Sequence, residues 1–287
     1  MVIVRFIVSV VLPRCAKRGE WMPYICLADE TNRSHADHEK FFINGAVIAP
    51  VEKLELVHDT VTRIRERNGF QPRMHLKWAT SSRPTRISQE QFFKAKAEVL
   101  RAFPDLGLLF FSNLTLHRIA KYQPPATLVR WGYNTIIKSF EVFLSEKDDT
   151  GILMIDRLPT GGENDYLNEV FARRTGPEGN FSLKRTHLLG ITCSGASHLS
   201  TVLDIVLGAF AFSVNERRPD RWEKPARLLR DVLQGTWCYV DEAGARHIHP
   251  EAMVFSPRRR MLPYMDQEYT QLKAHLDHLI RNLEQME

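Results

Sequence analysis

The stretches Tyr24-Ile-Cys-Leu-Ala-Asp-Glu-Thr31 and Phe41-Phe-Ile-Asn-Gly-Ala-Val-Ile-Ala49 decide the fold class. The first is a short apolar run, Tyr24 to Ala28, that ends in acids. It reads as a buried strand with Asp29 and Glu30 at its carboxyl end. The polar segment to Lys40, with His35, Asp37 and His38, reads as a turn. The second stretch reads as another strand, so 24–49 predicts a hairpin. Pro50 stops it and opens a helix over 51–68, with Leu54, Val57, Val61 and Ile64 on one face.

Strand and helix patterns then alternate. Residues 69–87 are loop-like and contain His75-Leu-Lys-Trp78. Ser88-Gln-Glu-Gln91 is a capping-box pattern opening a helix to Phe103. Leu106 to Ser112 predicts a strand, 126–146 a long amphipathic helix, and Gly151 to Ile155 a further strand followed by Asp156. A helix over 164–174 and a strand over 186–191 follow. Ser197 caps an apolar helix carrying Leu199, Val202, Leu203, Val206, Leu207 and Phe210. The last helix places Tyr269, Leu272, Leu276, Leu279, Leu283 and Met286 at spacings of three and four. Strands interleaved with helices argue an α/β fold with a mixed sheet that starts in a hairpin. The division expected is an apolar lead over 1–21, one α/β domain over 22–215, and a mainly helical extension over 216–287.

The lead, Met1 to Leu12, is too short to span a bilayer and lacks the basic region of a signal peptide. It reads as an edge strand, an oligomer contact or, slightly favoured, an extension ahead of a start at Met22. The 287 residues are 44% hydrophobic and 25% charged, which excludes a disordered chain and a multi-span membrane protein. Lys plus Arg is 39 against 34 for Asp plus Glu, a net charge of +5 that permits a nucleic-acid partner without demanding one. Cys15, Cys26, Cys193 and Cys238 show neither disulfide-framework nor zinc spacing. They read as reduced cysteines of a cytoplasmic protein with no membrane contact.

Three aspartates stand where a structural role is hard to supply. Asp29 and Asp156 end apolar strands, and Asp204 lies between Leu203 and Ile205-Val206-Leu207. A single Asp at a strand end is ordinarily a turn or cap residue, and one in mid-helix can pair with Arg or Lys. Together, however, carboxylates at neighbouring strand ends can converge, and a helix beside the sheet can add a third. Burying such charges requires a cation or donors. Oxygen clusters of this kind suit Mg²⁺ or Mn²⁺, ions that activate water for phosphodiester hydrolysis.

In order and spacing these motifs resemble the bacterial and phage family called domain of unknown function 3800, itself similar to ribonuclease H-like nucleases in fold. That family opens with a strand leading into Asp-Glu-Ser-Gly, here Leu27-Ala-Asp-Glu-Thr31. A Gly-Ala strand follows, here Ile43-Asn-Gly-Ala-Val-Ile48, then a Glu-Leu-Lys-Trp-like element, here His75-Leu-Lys-Trp78. A strand ending in Asp is matched by Leu153-Met-Ile-Asp156, and a Ser…Leu-Gln-Leu-Ala-Asp-Leu…Gly helix by Ser197 to Gly208. The resemblance covers 22–215. It departs at Thr31-Asn32 for Ser-Gly, at His75 for Glu and at the missing Gln of the last helix.

The resemblance implies a ribonuclease H-like mixed sheet flanked by helices, with Asp29, Asp156 and Asp204 holding Mg²⁺ or Mn²⁺. Glu30 is a supporting ligand and Lys77 a candidate catalytic residue that contacts a phosphate. The implied activity is metal-dependent nuclease or phosphodiesterase, with nucleic acid as partner. His75 in place of Glu favours the rival reading, a non-catalytic nucleic-acid- or protein-binding member with a degraded site. A third reading is hydrolysis of a small phosphate ester by the same acids.

Other features rank lower. His35-x-x-His38 reads as a polar turn, His247-x-His249 as exposed histidines, and Gly161-Gly162 as a turn rather than a phosphate cradle. Cys193 and Ser194 near His198 lack a nucleophile elbow. Arg63, Arg65 and Arg67 read as a solvated helix face, whereas Arg217-Arg218 and Arg258 to Arg260 are better placed for phosphate. The final helix could seat a homodimer, but a helix of its length ordinarily packs on its own domain.

Overall fold

The hairpin expected from the two opening stretches is the centre of the sheet. The structure, a computed structural model, describes residues 23–31, 40–120, 123–156, 163–176, 181–192, 197–216, 223–257 and 263–283. Strand β1 (Tyr24–Thr31) pairs antiparallel with β2 (Phe41–Pro50), which pairs antiparallel with β3 (Leu109–Leu116). On the other side β1 runs parallel to β4 (Gly151–Asp156), and β4 parallel to β5 (Thr186–Thr192). The chain is therefore α/β with a mixed sheet flanked by helices.

Alternation along the strands sorts the core into two layers. Leu27, Ile43, Val47, Phe110 and Leu114 pack on one face with α1 (Leu54–Arg67), α2 (Gln89–Asp105) and α6 (His198–Asn215). Cys26, Ala28, Phe42, Ala46, Leu153 and Ile155 pack on the other with α4 (Pro125–Glu146) and α5 (Glu163–Arg173). A short helix, α3 (His117–Ala120), follows β3. Both faces are covered, which is why β1 and β2 read as nearly continuous apolar runs.

Local signals account for several boundaries. Ser88 accepts the N–H of Gln91 while its own N–H donates to the Gln91 side chain, so the capping box at α2 is formed. Ser197 caps α6 by accepting from Ser200 N. The helix expected over 51–68 begins as a 3₁₀ turn, Val51–Lys53, before α1. The strand expected at Leu106 instead starts at Leu109, because Gly107 adopts a positive φ of 68° and breaks the run.

Among its described residues, the segment from 216 onward holds two helices and three short strands. It holds α7 (Glu223–Gln234), a small hairpin of β6 (Cys238–Val240) with β7 (Arg246–Ile248), and α8 (Pro263–Leu283). It also supplies β8 (Met253–Ser256), which adds to the edge of the main sheet parallel to β3. The tail thus completes the sheet rather than appending to it. Tyr269, Leu276, Leu279 and Ile280 of α8 are buried in the chain's own core, so the stripe considered for a dimer seam is used internally. Among the described residues α6 alone is long and apolar enough to cross a membrane, and it lies against the sheet with its apolar residues in the core. Cys26 and Cys238 are free thiols. The lead over 1–21, His35, His38, Gly161, Gly162, Cys15, Cys193, Ser194, Arg217, Arg218 and Arg258 to Arg260 lie outside the described residues.

Candidate functional site

Parallel pairing of β1 with β4 runs in register from Tyr24 opposite Gly151 to Ala28 opposite Ile155. The next residue on each strand is an aspartate, Asp29 and Asp156. Side chains alternate along a strand, so Asp29 shares the face of Leu27, and Asp156 that of Met154. Both faces look toward α6. The two acids thus stand side by side at the carboxyl ends of adjacent parallel strands, the edge at which open α/β sheets place their ligands.

The third acid arrives from α6. Asp204, Asp29 and Asp156 line one cleft, together with His75, Lys77, Thr192, Ser200 and Thr201. Leu27, Leu76 and Leu203 form its apolar part. Thr192 stands opposite Asp156 in the β4–β5 register. Ser200 and Thr201 precede Asp204 by one turn and share its helical face. The sequence reading passed over these three hydroxyl residues. The signal for the two on α6 was their spacing of four and three from Asp204.

The loop carrying His75, Lys77 and Trp78 is docked onto α6 through backbone and ring at once. Trp78 N–H donates to Asp204 Oδ2. The Trp78 ring lies on Gly208, where a Cβ would come within 2.1 Å of the ring's Cγ. Only glycine admits an indole at that distance. Lys96, from α2, donates to the Trp78 carbonyl at 2.9 Å and lies 4.6 Å from the indole centroid. Trp78 is thereby held at its N–H, its carbonyl and its ring.

The electrostatics centre on Asp204. Burial raises its carboxyl above the usual range, and nearby Asp156 raises it further. The Trp78 N–H and the ammonium groups of Lys77 and Lys96 oppose that rise. Lys96 itself is pushed down to about 8 by burial and by Lys224, against the attraction of Asp204. Asp29 accepts its neighbour's N–H, that of Glu30, at 2.7 Å.

Glu30 does not join this group. It follows Asp29 on the strand and turns to the opposite face, where it is buried and accepts the Tyr133 hydroxyl of α4. The expectation of Glu30 as a supporting ligand is corrected on that ground, since strand alternation puts the sheet between it and the cleft. Two further expectations also change. Arg65 is not part of a solvated face, because its guanidinium donates to the carbonyls of Gln71, Pro72 and Met74. His247 and His249 are not simply exposed. His247 pairs with Asp241 at 2.8 Å, while His249 stacks on Trp237 at 3.6 Å and reaches Glu146 at 3.2 Å.

Among the described residues, no three His, Cys, Asp or Glu side chains form a group that could hold a metal ion. The acids line a common cleft without closing a ligand shell. Their chemistry still fits a hard cation of one kind. Mg²⁺ is held by one or two carboxylates and takes its other ligands from water and substrate phosphate. Asp204 and Asp156, close enough to repel one another electrostatically, offer such a pair of oxygen donors. Compared with known proteins, the chain matches no family model and no curated protein.

Proposed function

We propose that this chain is a divalent-metal-dependent phosphodiesterase acting on nucleic acid, built on a ribonuclease H-like architecture and related to the domain of unknown function 3800 family. One observation carries the reading. Three aspartates far apart in the chain line a single cleft at the carboxyl ends of parallel strands. The mixed sheet, with β2 reversed between β1 and β3 and acids ending β1 and β4, supports the finer fold assignment. The free thiols of Cys26 and Cys238 support the cytoplasmic setting.

In this reading Asp156 and Asp204 hold Mg²⁺ or Mn²⁺, with Asp29 as the third acid. The bound ion would supply Lewis acidity and an activated water. The chain's own groups do the rest. Lys77, in the same cleft, offers an ammonium to the phosphate before and during cleavage. Trp78 N–H fixes one oxygen of Asp204. Thr192, Ser200 and Thr201 supply hydroxyl donors for substrate oxygens.

The test is hydrolysis of labelled single- and double-stranded DNA and RNA with Mg²⁺ or Mn²⁺. Activity in the parent, lost in Asp156→Asn and Asp204→Asn, is the expected result. Unchanged hydrolysis in both variants overturns the assignment. The absence of a metal-holding group among the described residues, with His75 at the cleft, favours a second reading, a binding protein with a degraded site. Calorimetry separates the two, because a degraded site takes up neither Mg²⁺ nor Mn²⁺ even at high concentration.

A further inference from the structure

From the cleft, one face of α6 leads away over Asp204, Gly208 and Phe212. These residues are spaced by four and span about 12 Å of helix. The Trp78 indole covers Gly208, and its centroid lies 6.3 Å from that of Phe212. Phe93 of α2 continues the line. Phe93 is 37% exposed and Phe212 38%. Two ammonium groups are interleaved with these rings. Lys224 of α7 is exposed and stands 5.4 Å from the Phe93 centroid and 5.8 Å from that of Phe212. Lys96 lies between Trp78 and Phe93, at 4.6 and 4.7 Å from their centroids.

Two exposed phenylalanine rings with the exposed Lys224 ammonium beside them, next to a half-buried indole, match a particular ligand. Unpaired bases have flat apolar faces for stacking, and the phosphates between them carry the complementary charge. A duplex keeps its base faces inside the stack, so exposed rings gain little from it. We infer that the Trp78–Phe212–Phe93 row, with Lys224, binds a single-stranded nucleic acid and leads it along α6 into the carboxylate cleft. The inference rests on the phosphodiesterase reading for its direction, and it adds the strand state of the substrate. Continuity supports it, because Trp78 belongs both to the row and, through its N–H, to Asp204.

Fluorescence anisotropy of the full chain with fluorescein-labelled oligo(dT) and oligo(U) of about 12 nucleotides, against a matching duplex, tests this in EDTA, where hydrolysis is silent. Both single strands are expected to bind more tightly than the duplex, the two arms telling DNA from RNA preference. Phe93→Ala and Phe212→Ala should each weaken single-strand binding by about fivefold or more. Lys224→Glu, at an exposed position that does not threaten folding, should weaken it further and flatten its salt dependence. Phe212→Trp should keep the affinity, since it keeps a ring. Tighter duplex binding, no binding, or affinities indifferent to these substitutions overturn the inference. So does a change from dimer to monomer in Phe212→Ala by light scattering without loss of oligonucleotide binding, since the row then serves a second copy. Hydrolysis by the parent with Mg²⁺ decides the phosphodiesterase reading separately. If hydrolysis is absent while Phe212-dependent strand binding is present, that reading alone fails. If hydrolysis is present while binding ignores the row, this inference alone fails.

Discussion

The Oδ2 atom of Asp204 accepts the backbone N–H of Trp78, and the indole of the same Trp78 rests on Gly208 one helical turn later. Loop and helix therefore share one fixed geometry around a carboxylate that burial penalises. The pairing also constrains what substitutions do. A change at Gly208 acts on Asp204 through Trp78, and a change at Asp204 alters the anchor of the loop that bears His75 and Lys77.

Asp204→Asn keeps an oxygen that can accept the Trp78 N–H while removing the charge. Metal-dependent hydrolysis should fall on the order of 10²–10³-fold, the scale for loss of one preorganised electrostatic group. Stability should move the other way. The folded Asp204 titrates above its unfolded value, so its contribution is fully present below the unfolded pKa and is lost as pH rises through the folded one. At neutral pH the Asn variant should melt higher than the parent, and the gap should close on acidification. Thermal unfolding across pH checks both statements. A lower Tm for Asp204→Asn at pH 7 would show that the charge is compensated in the free protein.

Glu30→Gln and Asp29→Asn are neighbours in sequence on opposite faces of β1. Asp29→Asn should weaken Mn²⁺ binding measured by calorimetry, whereas Glu30→Gln should leave it within about twofold. The Gln side chain can still accept the Tyr133 hydroxyl, so folding should survive. An equal loss of metal affinity in both variants would place Glu30 in the ligand set after all.

Gly208→Ala sets two effects against each other. Alanine gains up to about 1 kcal/mol in helix propensity. The added Cβ meets the indole at 2.1 Å, and overpacking of that kind costs about 1–3 kcal/mol. A lower Tm, with reduced hydrolysis, is the expected outcome. A raised Tm would mean that Trp78 can leave α6 at no cost.

His198 opens α6, bonds to Thr62 Oγ1 at 3.0 Å and faces His58 at 4.7 Å between ring centroids. Burial, with the charges of Arg65 and His58, pushes it down to about 4 from an ordinary 6.5. A depressed folded value stabilises above the unfolded pKa and ceases to do so as pH falls toward the folded one. The protein should therefore lose stability between about pH 6.5 and 4, by about 1 kcal/mol from this residue once partial exposure is allowed for. In His198→Gln that acid-side slope should shrink. An imidazole NMR titration that places His198 near 6.5 contradicts the expectation.

Tyr269 ties α8 to the sheet. Its hydroxyl accepts the Leu116 N–H at 2.8 Å and donates to the Ser256 carbonyl at 2.6 Å. Tyr269→Phe leaves a buried N–H of β3 without that acceptor, at a cost of about 1–3 kcal/mol. Denaturant unfolding should show a lower midpoint with an unchanged slope.

Much of this organisation could be read before any fold was known. The opening strands, the capping box at Ser88, the cap at Ser197 and the three isolated acids all carry their physics locally, in period, in capping chemistry and in the cost of an acid among aliphatics. Other features depend on partners distant in sequence. Met253 to Ser256 is too short to declare itself, and it is a strand because the edge of β3 offers it backbone partners. Arg65 looks like its solvated neighbours until the 71–74 loop turns its carbonyls toward it. That Asp29, Asp156 and Asp204 line one cleft, and that Trp78 bridges that cleft to two exposed rings, follows only from the parallel register and from the glycine that lets an indole lie against α6. Local chemistry could nominate the acids. Only the packing of α6 against β1, with β4 alongside in parallel register, could bring them to one cleft.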